Sequence, residues 1–298
     1  MSFLEGTFTE WQIYEWESII GDWFFVAALV FLAFELLRQF FKKTLTKNIL
    51  ADAATNFITL GMFIGINALW AGLYVGVFYF FYEYFSLTQL PINAWTIVAC
   101  IVLADIAYYW EHRAMHRFGI GWATHTVHHS SPYFNISVAY RFGPLDGVIP
   151  VFFHIPLAML GFHPFLIFFA EIMVQLYQTA LHTETVKKLP KPIEAVMNTP
   201  SHHRVHHGSN PQYIDKNYAG IFIIWDKMFG TFEEEKEKVV YGVLPPINSV
   251  NPFHVFFHGL TGLFAKMWKA KGFKNKLLYL VKPPGWHHGQ NAKEEVQP

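Results

Sequence analysis

Cysteine is nearly missing from the sequence: one residue, Cys100, stands among 298, and it lies inside an apolar run. This excludes an intrachain disulfide, a thiolate zinc knuckle and a cysteine-held iron–sulfur cluster, so any metal must have other ligands. Charge is scarce as well. Charged residues make up 15% of the chain, against about 25% in soluble domains, and the formal net charge is zero. No basic stretch interleaves with exposed aromatics, which argues against nucleic acid as a partner. Met1 to Asp22 carries acids but no lysine or arginine, the wrong charge for a signal-peptide n-region, so the first apolar run is expected to be a retained anchor. Neither a flavin or dinucleotide glycine fingerprint nor a His-Pro-Gly-Gly haem motif occurs, and electrons are therefore expected from outside the chain. No internal repeat or interdomain linker is visible.

What fills the chain instead is apolar: 53% hydrophobic residues, with 31 Phe, 14 Tyr and 10 Trp. Trp23 to Phe41, about Phe57 to Phe85 and about Ala94 to Tyr109 are runs suited to crossing a hydrocarbon core, which takes roughly 20 helical residues. The second is longer than one crossing needs and is expected to tilt or break at its glycines. Val148 to Leu160 and Pro164 to Leu181, joined at Gly161-Phe162-His163-Pro164, read as a re-entrant hairpin or two short spans. The predicted fold is all-α: a multi-pass membrane helical bundle of three long spans plus a short hairpin pair, with a cytosolic histidine-rich cap. The expected organisation is an N-terminal segment 1–22, a membrane domain 23–250, and an interfacial helix (Phe253 to Val281, with Lys266, Lys269, Lys271, Lys274 and Lys276) followed by a disordered tail after Pro284.

Basic residues follow the first run (Arg38, Lys42, Lys43, Lys47), the third (Arg113, Arg117) and the fifth (Lys187, Lys188, Lys191). By the positive-inside rule these ends face the cytoplasm, in a bacterial inner membrane or the endoplasmic reticulum, and the N-terminus faces outward.

Sixteen histidines are present. His112 and His116 are four apart, His125, His128 and His129 form His-x-x-His-His, and His202, His203, His206 and His207 form His-His-x-x-His-His. His182 stands alone after the fifth run. On a helix, spacings of three and four bring two imidazoles to one site, while an adjacent histidine points about 100° away and can reach a second ion. Imidazole suits iron, copper, nickel and zinc, so the ligands leave the metal open. One zinc hydrolase site needs fewer ligands, and the His-Glu-x-x-His pattern is absent. Of the rest, His254 and His258 are expected at the surface, His287 and His288 in the tail, His163 at the turn opposite the clusters, and His154 facing the bundle; none is a proposed ligand.

His112-Arg-Ala-Met-His116, His125-Thr-Val-His-His129 and His203-Arg-Val-His-His207 resemble the three histidine boxes of the fatty acid hydroxylase and sterol desaturase superfamily of membrane non-haem di-iron enzymes. The resemblance runs from about Ala104 to Phe232 and takes in Asn198 to Gly208 and Trp225-Asp-Lys-Met-Phe-Gly-Thr-Phe232. With Asp215-Lys-Asn-Tyr218 and Leu181-His-Thr-Glu184, it is closest to the alkylglycerol monooxygenase branch. It implies that His112, His116, His125, His128, His129, His203, His206 and His207 bind metal in a catalytic site, with His182 a ninth ligand and the role of His202 open. Some hydroxylases carry a further histidine where this chain has Gln178. Asp105, Glu111, Glu184, Asp215 and Asp226 are candidates to orient imidazole N–H groups. Phe134, Tyr140, Phe142, Phe152, Phe153 and Tyr177 are candidates to line a lipid's entry, and Arg141 to hold a head group or cofactor.

The implied chemistry is activation of O2 at two iron ions and hydroxylation of a lipid C–H bond, with an external reductant or electron-transfer protein. In the closest branch the substrate is a glyceryl ether and the donor tetrahydrobiopterin, and hydroxylation beside the ether oxygen releases a fatty aldehyde. A broader reading is a sterol or fatty acyl desaturase or hydroxylase. A rival from another class, a histidine-rich membrane metal transporter, requires histidines spread through the spans as a relay. The oligomeric state is not legible.

Overall fold

The computed structural model describes residues 6–289. The first helix, α1, runs Glu10–Phe41 and starts well before Trp23, because Thr9 and Gln12 form a capping box and Ile13, fully buried, packs into the core. Residues 10–22 are thus the opening turns of this helix; Met1 to Glu5 lie outside the described residues. α2 (Lys47–Phe85) is unbroken over 39 residues, and Gly61, Gly65, Gly72 and Gly76 face open space without interrupting it. At 1.5 Å per residue it measures about 58 Å, far beyond a bilayer core. Its surplus lies at the N-terminal end, where Asp52, Asn56 and Thr59 are buried. α3 (Ala94–Arg117), capped by Asn93, likewise continues past Tyr109 to carry the first histidine pair. These three helices are long and apolar enough to cross a membrane, and their outer faces expose side chains such as Leu69 (82% exposed) and Trp95.

α4 (Gly119–His129) bears the second box. A 3-10 turn at Ile136–Tyr140 leads to α5 (Ile149–Leu160) and α6 (Pro164–Thr179), the short hairpin pair. Gly161 between them adopts a left-handed conformation (φ 101°), and a Cβ there would meet the Thr88 carbonyl oxygen at 2.1 Å, so glycine is required twice over. α3 packs against α5 and α6, α1 against α6, and α2 against α5. The cap adds α7 (Lys191–Val196), α8 (Pro200–His206), which holds most of the third box, and α9 (Ile224–Phe229). Two antiparallel bridges, Met197–Phe222 and Gly208–Tyr241, are the only β pairing among the described residues.

The expected interfacial helix is two helices, α10 (Pro252–Lys269) and α11 (Phe273–Val281), turned at Gly272 (φ 81°). It is not a separate appendage: α10 packs on α4 and α2, and α11 on α4. Close approach is built in, since a Cβ on Gly259 would sit 2.2 Å from the Ala123 carbonyl oxygen. Residues 285–289 belong to this packing, with Trp286 against Tyr279; the rest of the expected disordered tail, 290–298, lies outside the described residues.

The two ends of the bundle differ. At one, the Phe8 amide donates to Ile92 (2.7 Å), the Leu90 amide to Gly161 (2.9 Å), and His163 pairs with Glu10 at 3.0 Å. At the other, the end of α1, the start of α2 and the end of α3 meet the cap, and the basic residues after the first and third runs lie with the histidines.

Candidate metal centre

The first box is delivered by the end of the long helix α3, the second and third by the short helices α4 and α8. α3 sends His112 and His116 from one face; α4 turns His125 and His129 one way and His128 the other; α8 does the same with His203 and His206, and His207 follows as its cap. Nine imidazoles converge in two groups. His112, His116, His125, His129 and His206 form one, and His128, His182, His203 and His207 the other; within each, the ligand atoms lie within 4.8 Å of one another. All but His128 and His125 are fully buried, and those two are half-buried. These are the nine positions singled out from the sequence, and the structure brings all of them together.

The hydrogen-bond pattern tests whether a cation fits. The Nδ1 of His112 donates to the Tyr218 carbonyl (2.8 Å), that of His182 to Gln178 (2.9 Å), that of His128 to Arg141 (3.3 Å) and that of His206 to Lys216 (3.0 Å). A carbonyl only accepts, so the proton is on Nδ1 and Nε2 carries a lone pair. Yet His128 and His182 bring their Nε2 atoms to 3.2 Å, and the Nε2 atoms of His116, His206 and His207 are buried with no hydrogen-bond partner among the described residues. Lone pairs facing one another at such distances repel unless a cation lies between them. The donor set therefore fits two metal ions, with backbone carbonyls fixing the tautomers.

Electrostatics agree. Burial, followed by the neighbouring imidazoles, pushes His125, His129, His203 and His207 well below the ordinary histidine value. Burial lowers His182 to about 4, against the opposing pull of the Gln178 and Thr179 carbonyls. In these five rings the neutral form, the one that ligates, is thereby favoured. Burial alone would raise Asp215, but His116, whose Nδ1 lies 3.6 Å away, and Arg117 at 2.7 Å outweigh it and hold the carboxyl down at about 2.

Of the five acids expected to orient imidazoles, Asp215 is the one that stands beside a box histidine among the described residues. Asp226 accepts from the Tyr218 and Ala219 amides, both at 2.8 Å, and Asp105 from the Phe222 amide and the Trp225 indole. They act through the backbone, holding the segment whose carbonyls reach His112 and His206. Within that segment Asp215 (φ 59°) and Asn217 (φ 56°) are left-handed, a conformation Asp and Asn tolerate better than most. It lets Lys216 and Tyr218 aim their carbonyls at two different histidines. Glu111 meets His154 at 3.6 Å instead of a box histidine, and Glu184 accepts from Tyr241.

His202 belongs to neither group. Its Nε2 lies 3.0 Å from Glu194, whose other oxygen accepts from Thr199, so it anchors the start of α8. Arg141, a candidate for holding a head group or cofactor, is fully buried and bonded to Asp52 (2.9 Å), Asn56 (2.8 Å) and the Val127 carbonyl (3.0 Å). These bonds, made by Nε and Nη1, tie α2 to the second box, while Nη2, also buried, has no hydrogen-bond partner among the described residues. Among the aromatics, Phe134 packs on His182, His203 and His207 and Phe142 stacks on Phe63. Tyr140 stacks on Phe57, the Tyr177 hydroxyl donates to Asn198, Phe153 is half-buried on α5, and Phe152 points outward, 69% exposed. His258 is not a plain surface residue: it is half-buried, its Nδ1 donating to Val255, and with His254 it lines a separate cavity of about 390 Å³. His288 bonds Tyr279. The orienting carbonyls had no sequence signal, since every residue has one.

A chamber of about 520 Å³ opens onto the outer side of the centre, floored by His116, His129, His206 and His207 and walled by Trp122, Ile214, Leu244, Lys266 and His287. His287 was expected in the tail, and its place here is decided by the packing of residues 285–289.

Residues 97–231 match the family model described as fatty acid hydroxylase. The alkylglycerol monooxygenase of Homo sapiens is 40% identical over 270 residues, 90% of this chain and 59% of that protein. That of Danio rerio is 44% identical over 218 residues (72% and 48%), and that of Xenopus tropicalis 42% over 221 residues (74% and 49%). The chain spans about half the length of these relatives. No solved structure matches it. The three boxes lie inside residues 97–231, the segment that matches the fatty acid hydroxylase model, and the chain is similar to alkylglycerol monooxygenases over most of its own length.

Proposed function

We propose that the chain is a membrane monooxygenase that holds two iron ions through His112, His116, His125, His129 and His206 on one side and His128, His182, His203 and His207 on the other, and hydroxylates a lipid C–H bond with O2. The observation that carries this reading is the pair of buried, neutral imidazole groups inside a fatty acid hydroxylase domain. The similarity to alkylglycerol monooxygenases favours a glyceryl ether as substrate. When bound, the metal pair supplies the redox capacity to activate O2. The protein's own part is to fix nine rings close together, with backbone carbonyls setting the tautomers of His112, His128, His182 and His206.

The centre lies where the spans meet the cap, so a membrane lipid and a water-soluble donor of the tetrahydrobiopterin type can both reach it, the donor through the outer chamber. The basic clusters at this end support a cytoplasmic orientation for it. A transporter needs ligands along a path through the spans, whereas the nine are gathered at one end. The test is metal analysis of purified protein with an O2-dependent assay on a long-chain glyceryl ether. Two irons per chain and release of fatty aldehyde are expected; one zinc, negligible iron and intact activity would sink the reading.

A further inference from the structure

The helices α10 and α11 each carry two apolar faces, and their packing on the bundle uses one. On α10 the buried side chains are Val255, Phe256 and Leu263. Phe253, Phe257, Phe264 and Trp268 fall within about 60° of one another on a helix that turns about 100° per residue. They point away from the buried side, with Phe253 66% and Trp268 84% exposed. On α11, Tyr279 is buried, while Phe273 (75% exposed), Leu277 and Val281 form an exposed stripe at i, i+4 and i+8. One apolar face is enough to seat a helix on a bundle; a second, continuous one marks a surface that something else covers. The charge around it is of one sign. Between Pro252 and Gly289 the chain has six lysines and no acid. Lys269, Lys271, Lys274 and Lys282 are exposed, and the Lys276 amine lies 5.8 Å from the centre of the Trp268 ring. The Thr55 hydroxyl donates to the Val250 carbonyl at 2.7 Å. This holds the start of α10 beside the N-terminal part of α2, which extends beyond a bilayer core.

A second copy of the chain would set two lysine-rich surfaces against each other. An anionic lipid leaflet offers what both features need: phosphates for the lysines and an acyl boundary for the rings. We propose that α10 and α11 together form a docking surface for an anionic leaflet, a membrane contact additional to the three long helices. Other sides of the same helices, with the residues that follow, wall two chambers at the cap. Lys266, Pro284, Gly285 and His287 line the outer chamber, and His254, His258 and Leu263 the cavity of about 390 Å³. Docking therefore holds the wall of the outer chamber at the lipid surface, so that a lipid reaching the chamber need not cross water. That consequence rests on the monooxygenase reading; the docking surface does not.

The test uses the full chain reconstituted into vesicles of phosphatidylcholine, alone or mixed with phosphatidylglycerol. On a Cys100→Ala background, a fluorophore is attached at Trp268→Cys or, as a control, at Lys236→Cys, an exposed position of the cap. Lipids brominated on the acyl chain near the glycerol quench a probe that enters the interface. Quenching is expected at Trp268→Cys and not at Lys236→Cys. Each lysine near an anionic surface shifts the docking equilibrium about fivefold. Lys269→Glu, Lys271→Glu and Lys274→Glu together should therefore lower the docked-to-free ratio at least about tenfold in the anionic vesicles, and much less in phosphatidylcholine alone. Added salt should weaken docking in the same direction. The three lysines are exposed, so the variant is expected to fold and hold metal as its parent does. Quenching at Trp268→Cys no greater than at Lys236→Cys overturns the proposal. Energy transfer between labelled copies without lipid quenching also overturns it and assigns the stripe to a second copy. So does a triple variant quenched like its parent in both kinds of vesicle, which would leave the lysines no part in choosing the lipid. Docking is read without turnover: a protein that docks as expected and oxidises no lipid keeps the surface and removes only the monooxygenase reading.

Discussion

The two histidine groups are built from the same side chain but held by different parts of the molecule. The five-ligand group draws on all three boxes, and its tautomers are fixed from the cap: the Tyr218 carbonyl on His112, the Lys216 carbonyl on His206 and the Asp215 carboxylate beside His116. The four-ligand group, His128, His182, His203 and His207, is fixed from the bundle side, by the carbonyls of Arg141 and Gln178, and leans on Phe134. The first is the better supplied with ligands and is held by a loop with two left-handed residues. The second has one ligand fewer and depends on helix-to-helix packing. Ligand number and the source of orientation are thus independent features of one centre.

The largest effect is expected from removing a ligand. His128→Ala and His206→Ala should each abolish oxygenation, because ligands acting as a unit are not additive, but they should differ in metal content. His128→Ala leaves three imidazoles in its group and should drop the bound metal toward one ion; His206→Ala leaves four and should retain more. His258→Ala and His288→Ala should keep most activity. Metal content and turnover measured together on folded, membrane-inserted protein check this, and equal metal loss in the two ligand variants would erase the difference between the groups.

Next comes Arg141→Met. Removing one partner of a buried ion pair leaves Asp52 uncompensated, at a cost of about 3–5 kcal/mol, and it loosens the backbone that orients His128. The expected outcome is a lower unfolding midpoint, with the four-ligand group losing metal first. A variant of normal stability that binds lipid less well would return Arg141 to the head-group role that its burial argues against.

The smallest effect is expected at Asp215→Asn, which keeps the shape beside His116 and removes the charge. A loss of about 10-fold or somewhat more in metal affinity is expected, as for other outer partners of ligating histidines, confined to the five-ligand group. Because the folded carboxyl is held down at about 2, against about 3.9 when unfolded, its contribution to stability is present above about pH 4 and fades as pH falls toward 2. Wild type and variant should therefore converge in stability only in strong acid; a gap that closes near neutrality would point to another group.

Much of this was legible beforehand. The hydropathy of the runs gave three long helices and a short pair, since a chain segment of such composition has few ways to satisfy its backbone in lipid other than as a helix. Box spacing on helices picked out eight of the nine residues that prove to be neighbours, and the family resemblance added His182. What escaped was anything depending on contacts between distant segments. Glu10 to Asp22 carries four acids, yet it is helix because a capping box starts it and Ile13 finds a core to enter. Arg141 sits in a suggestive place in the sequence, but Asp52 and Asn56, far away on α2, claim it. His287 looked like part of a tail until α11 and the residues after it folded back onto α4.

The sequence by itself determined the helical membrane class of the fold and the histidine boxes that the fold gathers, because hydrophobic length and helical periodicity are local properties written in consecutive residues. Only the tertiary structure decided how nine histidines divide five and four, which carbonyls fix their protons, and where the two chambers open. Each of those depends on groups brought within a few ångströms by packing of α3, α4, α6 and α8, and the backbone carbonyls that settle the proton positions are chemically the same at every residue until the fold chooses among them.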